Sequence, residues 1–257
     1  PESGCYLSND FTLLVGDFPW LIFGLAILLG GSVKGALGVG LPLVAVPLLS
    51  FVLPSIQAIA LMAVPVLMSN IWQASEAGNV RYSLSRFGSL ISAQLVTTLL
   101  AVRFTLSLSP SGLNTMLAVS VLLAVALMAY QPNMRISPKR EHIAGAGVGA
   151  LSGMLGGVSS LTGPVIITYL MALKLPRNQF VGSISIIYLT GSLPLYGAMA
   201  WYGRFGIADL VLSVVALAPM SLGLILGKSV RQRLNESLFR KILLGFLTML
   251  ALLLVFK

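Results

Sequence analysis

Long stretches of this sequence carry no charged residue: 55–75, 104–134, 143–173 and 178–203. About 20 residues of helix cross roughly 30 Å of hydrocarbon, so an uncharged run of 18 or more marks a spanning helix. Such runs fill most of the chain. They predict an all-α integral membrane fold whose solvent is the lipid bilayer. Composition agrees, with 57% hydrophobic and 9% charged residues, where a soluble domain carries about a quarter charged.

The formal net charge of +9 raises nucleic acid as a partner, but its distribution argues against one. Lys and Arg stand singly or in small groups between apolar runs, as orienting charges do. The single cysteine, Cys5, excludes an internal disulfide framework and a buried two-cysteine electron carrier. The first residues, Pro1 to Asp17, are polar and acidic and do not read as a cleavable signal peptide. A start at Pro1 without Met points to processing or trimming.

Ten apolar segments are predicted, at about 18–33, 41–53, 55–75, 87–102, 111–130, 143–157, 164–173, 178–201, 207–227 and 238–256. Most are separated by charged or proline-containing breaks. Two breaks differ, since 35–40 (GALGVG) and 158–163 (VSSLTG) hold no charge and interrupt otherwise continuous apolar sequence. The expected organisation is a polar outer segment 1–17, a first membrane repeat 18–130, a basic cytoplasmic linker 131–142 and a second, inverted repeat 143–257. Counting breaks alternately puts twelve Lys and Arg on one side and three on the other, leaving Lys34 aside. The rich side is expected in the cytoplasm, with both termini outside.

The chain also repeats itself. Lys34-Gly35-Ala36-Leu37-Gly38 parallels Ser152-Gly153-Met154-Leu155-Gly156, and the spacing from Pro42 to Pro54 recurs from Pro164 to Pro176. Gln57 and Gln179 follow three residues later in each unit. A unit of five segments is odd in number, so the second copy must be inserted upside down relative to the first. Inverted repeats characterise secondary transporters, because two related halves can exchange conformations around one site.

That site is expected at the two uncharged breaks. Lipid cannot satisfy free backbone amides, so unwound chain at membrane depth must line protein or a cavity. Pro42 and Pro164 fit the first turn of a following half-helix, where a missing N–H costs nothing. The positive ends of both half-helices would then favour an anion. Gly35, Gly38, Gly40, Gly156, Gly157 and Gly163 are the glycines assigned to the site; the alternative is that such glycines only let helices pack closely. Lys34 is the charge beside a break, read either as an ammonium for the substrate or as a side chain that snorkels to the interface. Ser159, Ser160, Thr162, Asn70, Gln57, Gln179, Ser183 and Tyr188 could donate to oxyanion oxygens, or could bond only their own helices.

No Asp or Glu lies deep within an apolar segment, which argues against cation transport and carboxylate-based proton coupling. There is no metal-ligand cluster and no nucleotide-binding loop, so no metal or cofactor is expected. A membrane serine protease would need a base near Ser159 or Ser160, and the lone His142 stands at a helix start; no enzyme activity is expected.

The two breaks carry a resemblance. Residues 31–47 read G-S-V-K-G-A-L-G-V-G-L-P-L-V-A-V-P, and residues 149–169 read G-A-L-S-G-M-L-G-G-V-S-S-L-T-G-P-V-I-I-T-Y. In these stretches, and in length, segment number and repeat layout, the chain resembles the TauE/SafE family of sulfite exporters, also called toluene-sulfonate uptake permeases. Many members have a denser Gly-Gly-Pro run where this chain has Ser159 to Pro164. The resemblance implies a bacterial inner-membrane protein that moves sulfite, an organosulfonate or a related sulfur oxyanion, with export the expected direction. A passive anion channel, a permease for carboxylates or other small anions, and a non-transporting membrane factor are the rival readings. Association into a homodimer stays open.

Overall fold

The computed structural model describes residues 18–37, 40–77, 80–130, 136–233 and 236–255. The expected outer segment 1–17, part of the basic linker and Gly38 lie outside the described residues. Among the described residues every regular element is helical. The helices are α1 Trp20–Leu37, α2 Leu41–Leu49, α3 Ser55–Ala60, α4 Ala63–Ala77, α5 Val80–Arg86, α6 Gly88–Thr105 and α7 Pro110–Tyr130. After a 3₁₀ turn at Pro138–Arg140 follow α8 Glu141–Ser159, α9 Gly163–Ala172, α10 Arg177–Trp201, α11 Ile207–Val215, α12 Leu217–Arg233 and α13 Glu236–Val255.

Among the described residues, five stretches are helical, long and apolar enough to cross a membrane: Ser55–Ser75, Gly88–Thr105, Pro110–Ala129, Gln179–Trp201 and Ile207–Ser229. Large apolar side chains stand exposed around the outside, among them Leu21, Trp72, Ile143 and Trp201. In water a surface of this kind would drive aggregation, and in a bilayer it is the lipid-facing side.

Two of the five spans are kinked where the sequence predicts single helices. Pro65 has no N–H to offer the carbonyl four residues back, Leu61, and the helix breaks between α3 and α4. The Ser213 hydroxyl repairs the gap from α11. It donates to the Leu61 carbonyl at 3.0 Å and accepts the Val64 N–H at 2.9 Å. Pro219 likewise leaves the Val215 carbonyl without an intrahelical donor, and α11 ends at Val215.

Close packing rests on glycine at two helix pairs. A Cβ on Gly31 or Gly35 of α1 would meet the backbone of Met220 or Leu224 on α12. A Cβ on Gly149 or Gly153 of α8 would meet that of Leu90 or Gln94 on α6. In both pairs the helix backbones touch, the approach that small residues permit in membranes. The main core gathers α1 to α4, α7 and α10 to α13 around Ile27, Leu41, Leu61 and Leu117. A smaller cluster of Phe87, Leu90, Tyr169 and Ile187 lies beneath α9.

One ion pair ties α5 to α8. The Arg86 guanidinium holds both Glu141 oxygens, at 2.6 and 3.0 Å, and also donates to the Tyr82 hydroxyl. Hydrogen bonding to Glu141 raises the Arg86 pKa above its ordinary value, so its charge is permanent. The Tyr169 hydroxyl donates to the Glu141 carbonyl at 3.1 Å, fixing the far end of α9 to the start of α8.

Candidate functional site

At both uncharged breaks the chain turns back on itself. Gly40, just before α2, has φ +105°, a conformation open to glycine and strained for other residues. The reversed α2 then lies along α1, where a Cβ on Gly30 would come 2.7 Å from the Leu41 carbonyl. At the second break Ser160 takes the left-handed conformation, φ 60°, and closes α8 with its N–H on the Gly156 carbonyl at 2.8 Å. Here α9 returns along α8. Pro42 and Pro164 occupy the first turns of the short helices α2 and α9.

The two breaks open onto one cavity of about 50 Å³, several times the room a single water needs. Of the residues singled out in the sequence, Lys34, Gly40, Pro42, Asn70, Gly156, Ser160, Thr162, Gly163, Pro164 and Tyr188 line it. The first turns of α2 and α9 therefore both end at this space and present backbone N–H groups and partial positive charge to it. No carboxylate is among the lining residues.

Lys34 does not snorkel. Its side chain is only 4% exposed, and its Nζ donates to Ser69 Oγ at 2.7 Å and to Asn70 Oδ1 at 2.9 Å. Both partners are neutral. An ammonium has three N–H donors, so this pair of bonds leaves one for a ligand in the cavity. A buried lysine held only by neutral groups keeps most of its desolvation cost, at least about 2.5 kcal/mol on insertion scales. An anion in the cavity would offset that cost.

Other predicted residues sit elsewhere. Gly35 packs on Leu224, and Gly157 packs on Thr98 and Ala101. Ser159 is buried with its hydroxyl on the Leu155 carbonyl at 2.7 Å. Ser183 meets Ser83 at 3.1 Å, between α10 and α5. Gln57 reaches Asp209 at 3.5 Å, and Gln179 is partly exposed in the first turn of α10. None of these lines the cavity. In their place the fold brings Gly191, Ser192 and Leu195 of α10 to its wall, with the Tyr196 hydroxyl 3.5 Å from that of Ser160. Nothing local in the sequence marks Gly191 or Tyr196, since both lie within an unbroken helix far from either break.

A helical chain with five apolar spans among its described residues, and a cavity lined by a lysine where two helix breaks meet, is a multi-pass membrane protein. The chain belongs to the TauE/SafE family: the family described as sulfite exporter TauE/SafE matches residues 23–254. No curated protein and no solved structure matches the chain.

Proposed function

We propose that this chain is a secondary transporter that exports a small sulfur-containing anion, sulfite or an organosulfonate, by alternating access about the cavity at the two breaks. The observation that carries the reading is the Lys34 ammonium, buried beside the first turns of α2 and α9 and bonded, among the described residues, to the neutral Ser69 and Asn70. Lys34, the amides of the two half-helices and the hydroxyls of Ser160, Thr162 and Tyr188 form the binding set.

The helix packing supports two inverted halves, 18–130 and 143–257. Gly31 and Gly35 face Met220 and Leu224, while Gly149 and Gly153 face Leu90 and Gln94. Moving 118 residues forward from the first glycines gives the second, and moving 130 back from Met220 and Leu224 gives Leu90 and Gln94. One fixed pair of offsets thus exchanges the two interfaces, as two copies of one unit would. The excess of Lys and Arg on one side of the predicted topology supports cytoplasmic basic loops in a bacterial inner membrane, with both termini outside.

The test is purified protein in lipid vesicles with labelled sulfite. A carrier gives saturable flux that speeds up when unlabelled sulfite is loaded on the opposite side. Flux without such stimulation would make the cavity part of a channel. Saturable flux of carboxylates but not of sulfite or sulfonates would move the substrate class.

A further inference from the structure

A polar atom sealed in an apolar interior costs about 1–3 kcal/mol if nothing bonds to it, so buried orphans mark places where a partner belongs. Among the described residues, the buried atoms without a hydrogen bond include both ends of the Gln94 amide and the hydroxyls of Thr98 and Tyr188. They are neighbours. Gln94 and Thr98 lie one turn apart on α6, both almost fully buried. The Gln94 amide fills the space that a side chain at Gly191 would take. Gly191 and Tyr188 line the cavity from α10, and the Tyr188 hydroxyl lies 3.0 Å from the position of a Cβ on Gly163, the first residue of α9.

Packing does not demand an amide here. The position related to Gln94 by the exchange of halves is Leu224, which meets Gly35 as Gln94 meets Gly153. The close helix contact at this point is made by the backbone of either residue, so it does not itself require an amide side chain.

Resting on the reading of the cavity as an anion site, we propose that Gln94, packed behind Gly191 of the cavity wall, is a specificity-determining residue that selects anions bearing a hydrogen-bond donor of their own. The reason is donor balance. Anionic oxygens only accept, so Lys34, the half-helix amides, the Tyr188 hydroxyl and the Gln94 N–H₂ can all serve them. The Gln94 carbonyl oxygen can be satisfied only by an O–H or N–H. An oxyanion that keeps a proton, or a sulfonate with a hydroxyl or amino group, supplies both kinds of contact.

Ethanesulfonate and 2-hydroxyethanesulfonate differ by one hydroxyl and test this on the purified full chain by thermal-shift titration. The wild type is expected to bind the hydroxy compound about tenfold tighter, the value of one additional buried hydrogen bond. Gln94→Leu is expected to bring the ratio to about one while melting no earlier than the wild type without ligand. Gly191→Ala, whose methyl displaces the amide, should lower the ratio in the same way. Equal binding of the two sulfonates by the wild type overturns the proposal, and so does a preference that survives Gln94→Leu. If the wild type binds neither sulfonate nor sulfite, the anion site itself is wrong and the proposal falls with it.

Discussion

At the scale of single residues, Lys34 decides most. Its charge is out of water with Ser69 and Asn70 as partners, and a hydrogen bond to a charged group contributes about 1.5–3 kcal/mol. Lys34→Met keeps an unbranched side chain, one atom shorter, and removes the cation. It is expected to weaken sulfite binding by about 10- to 100-fold in thermal-shift titrations, without lowering the melting temperature of the ligand-free protein. Unchanged affinity would remove the ammonium from the site. Much of this cavity is legible in the sequence, because a lone lysine next to an uncharged Gly-Pro break violates the apolar rule around it. The same pattern reading fails at Gln57 and Gln179. Their matched positions after proline follow the repeat, but they open helices at the ends remote from the breaks. It fails differently at Gly35 and Gly157, where the absence of a side chain serves helix contact. Gln94 and Gly191 leave no local trace, because only the meeting of α6 and α10 gives either one meaning.

At the scale of elements, an all-helical membrane chain is readable from charge and proline spacing, whereas the kinks within two spans are not. Pro65 sits inside an uncharged run that looks continuous, and the group that repairs its break comes from Ser213, far along the chain. Two backbone groups of the α3–α4 junction depend on that one hydroxyl. In lipid no solvent can replace it. Ser213→Ala is therefore expected to cost about 1–3 kcal/mol for the groups left unpaired, read as a melting temperature lower by several degrees in detergent. Ser213→Thr retains the hydroxyl and should recover most of the loss. If Ser213→Ala melts with the wild type, the kink is held by packing of α11 alone. The breaks at Gly40 and Ser160 are of another kind, since the chain reverses there and the exposed helix ends face a cavity instead of a repairing side chain.

At the scale of the whole molecule, the proposed export needs a driving force. Among the described residues the cavity wall carries one cation, Lys34, and no carboxylate, so no carboxylate there loads and releases a proton with the substrate. The membrane potential is then the available force. Moving one elementary charge through 100 mV is worth about 2.3 kcal/mol, and an inside-negative cell expels an anion without further coupling. Because Lys34 belongs to the scaffold and returns with it, the substrate's charge is the net charge carried per cycle. Vesicles holding a potassium gradient and an ionophore allow the potential to be set in either sense. With a monovalent sulfonate, an inside-negative potential of about 100 mV is expected to sustain an outward gradient of about 50-fold at equilibrium, and reversing the potential should reverse the gradient. A flux that ignores the potential but follows an imposed pH step would mean that a proton travels with the anion. In that case the proton is either exchanged at Lys34, which Lys34→Met would abolish, or carried by the substrate itself, and the second is the kind of ligand that the unpaired Gln94 carbonyl oxygen can recognise.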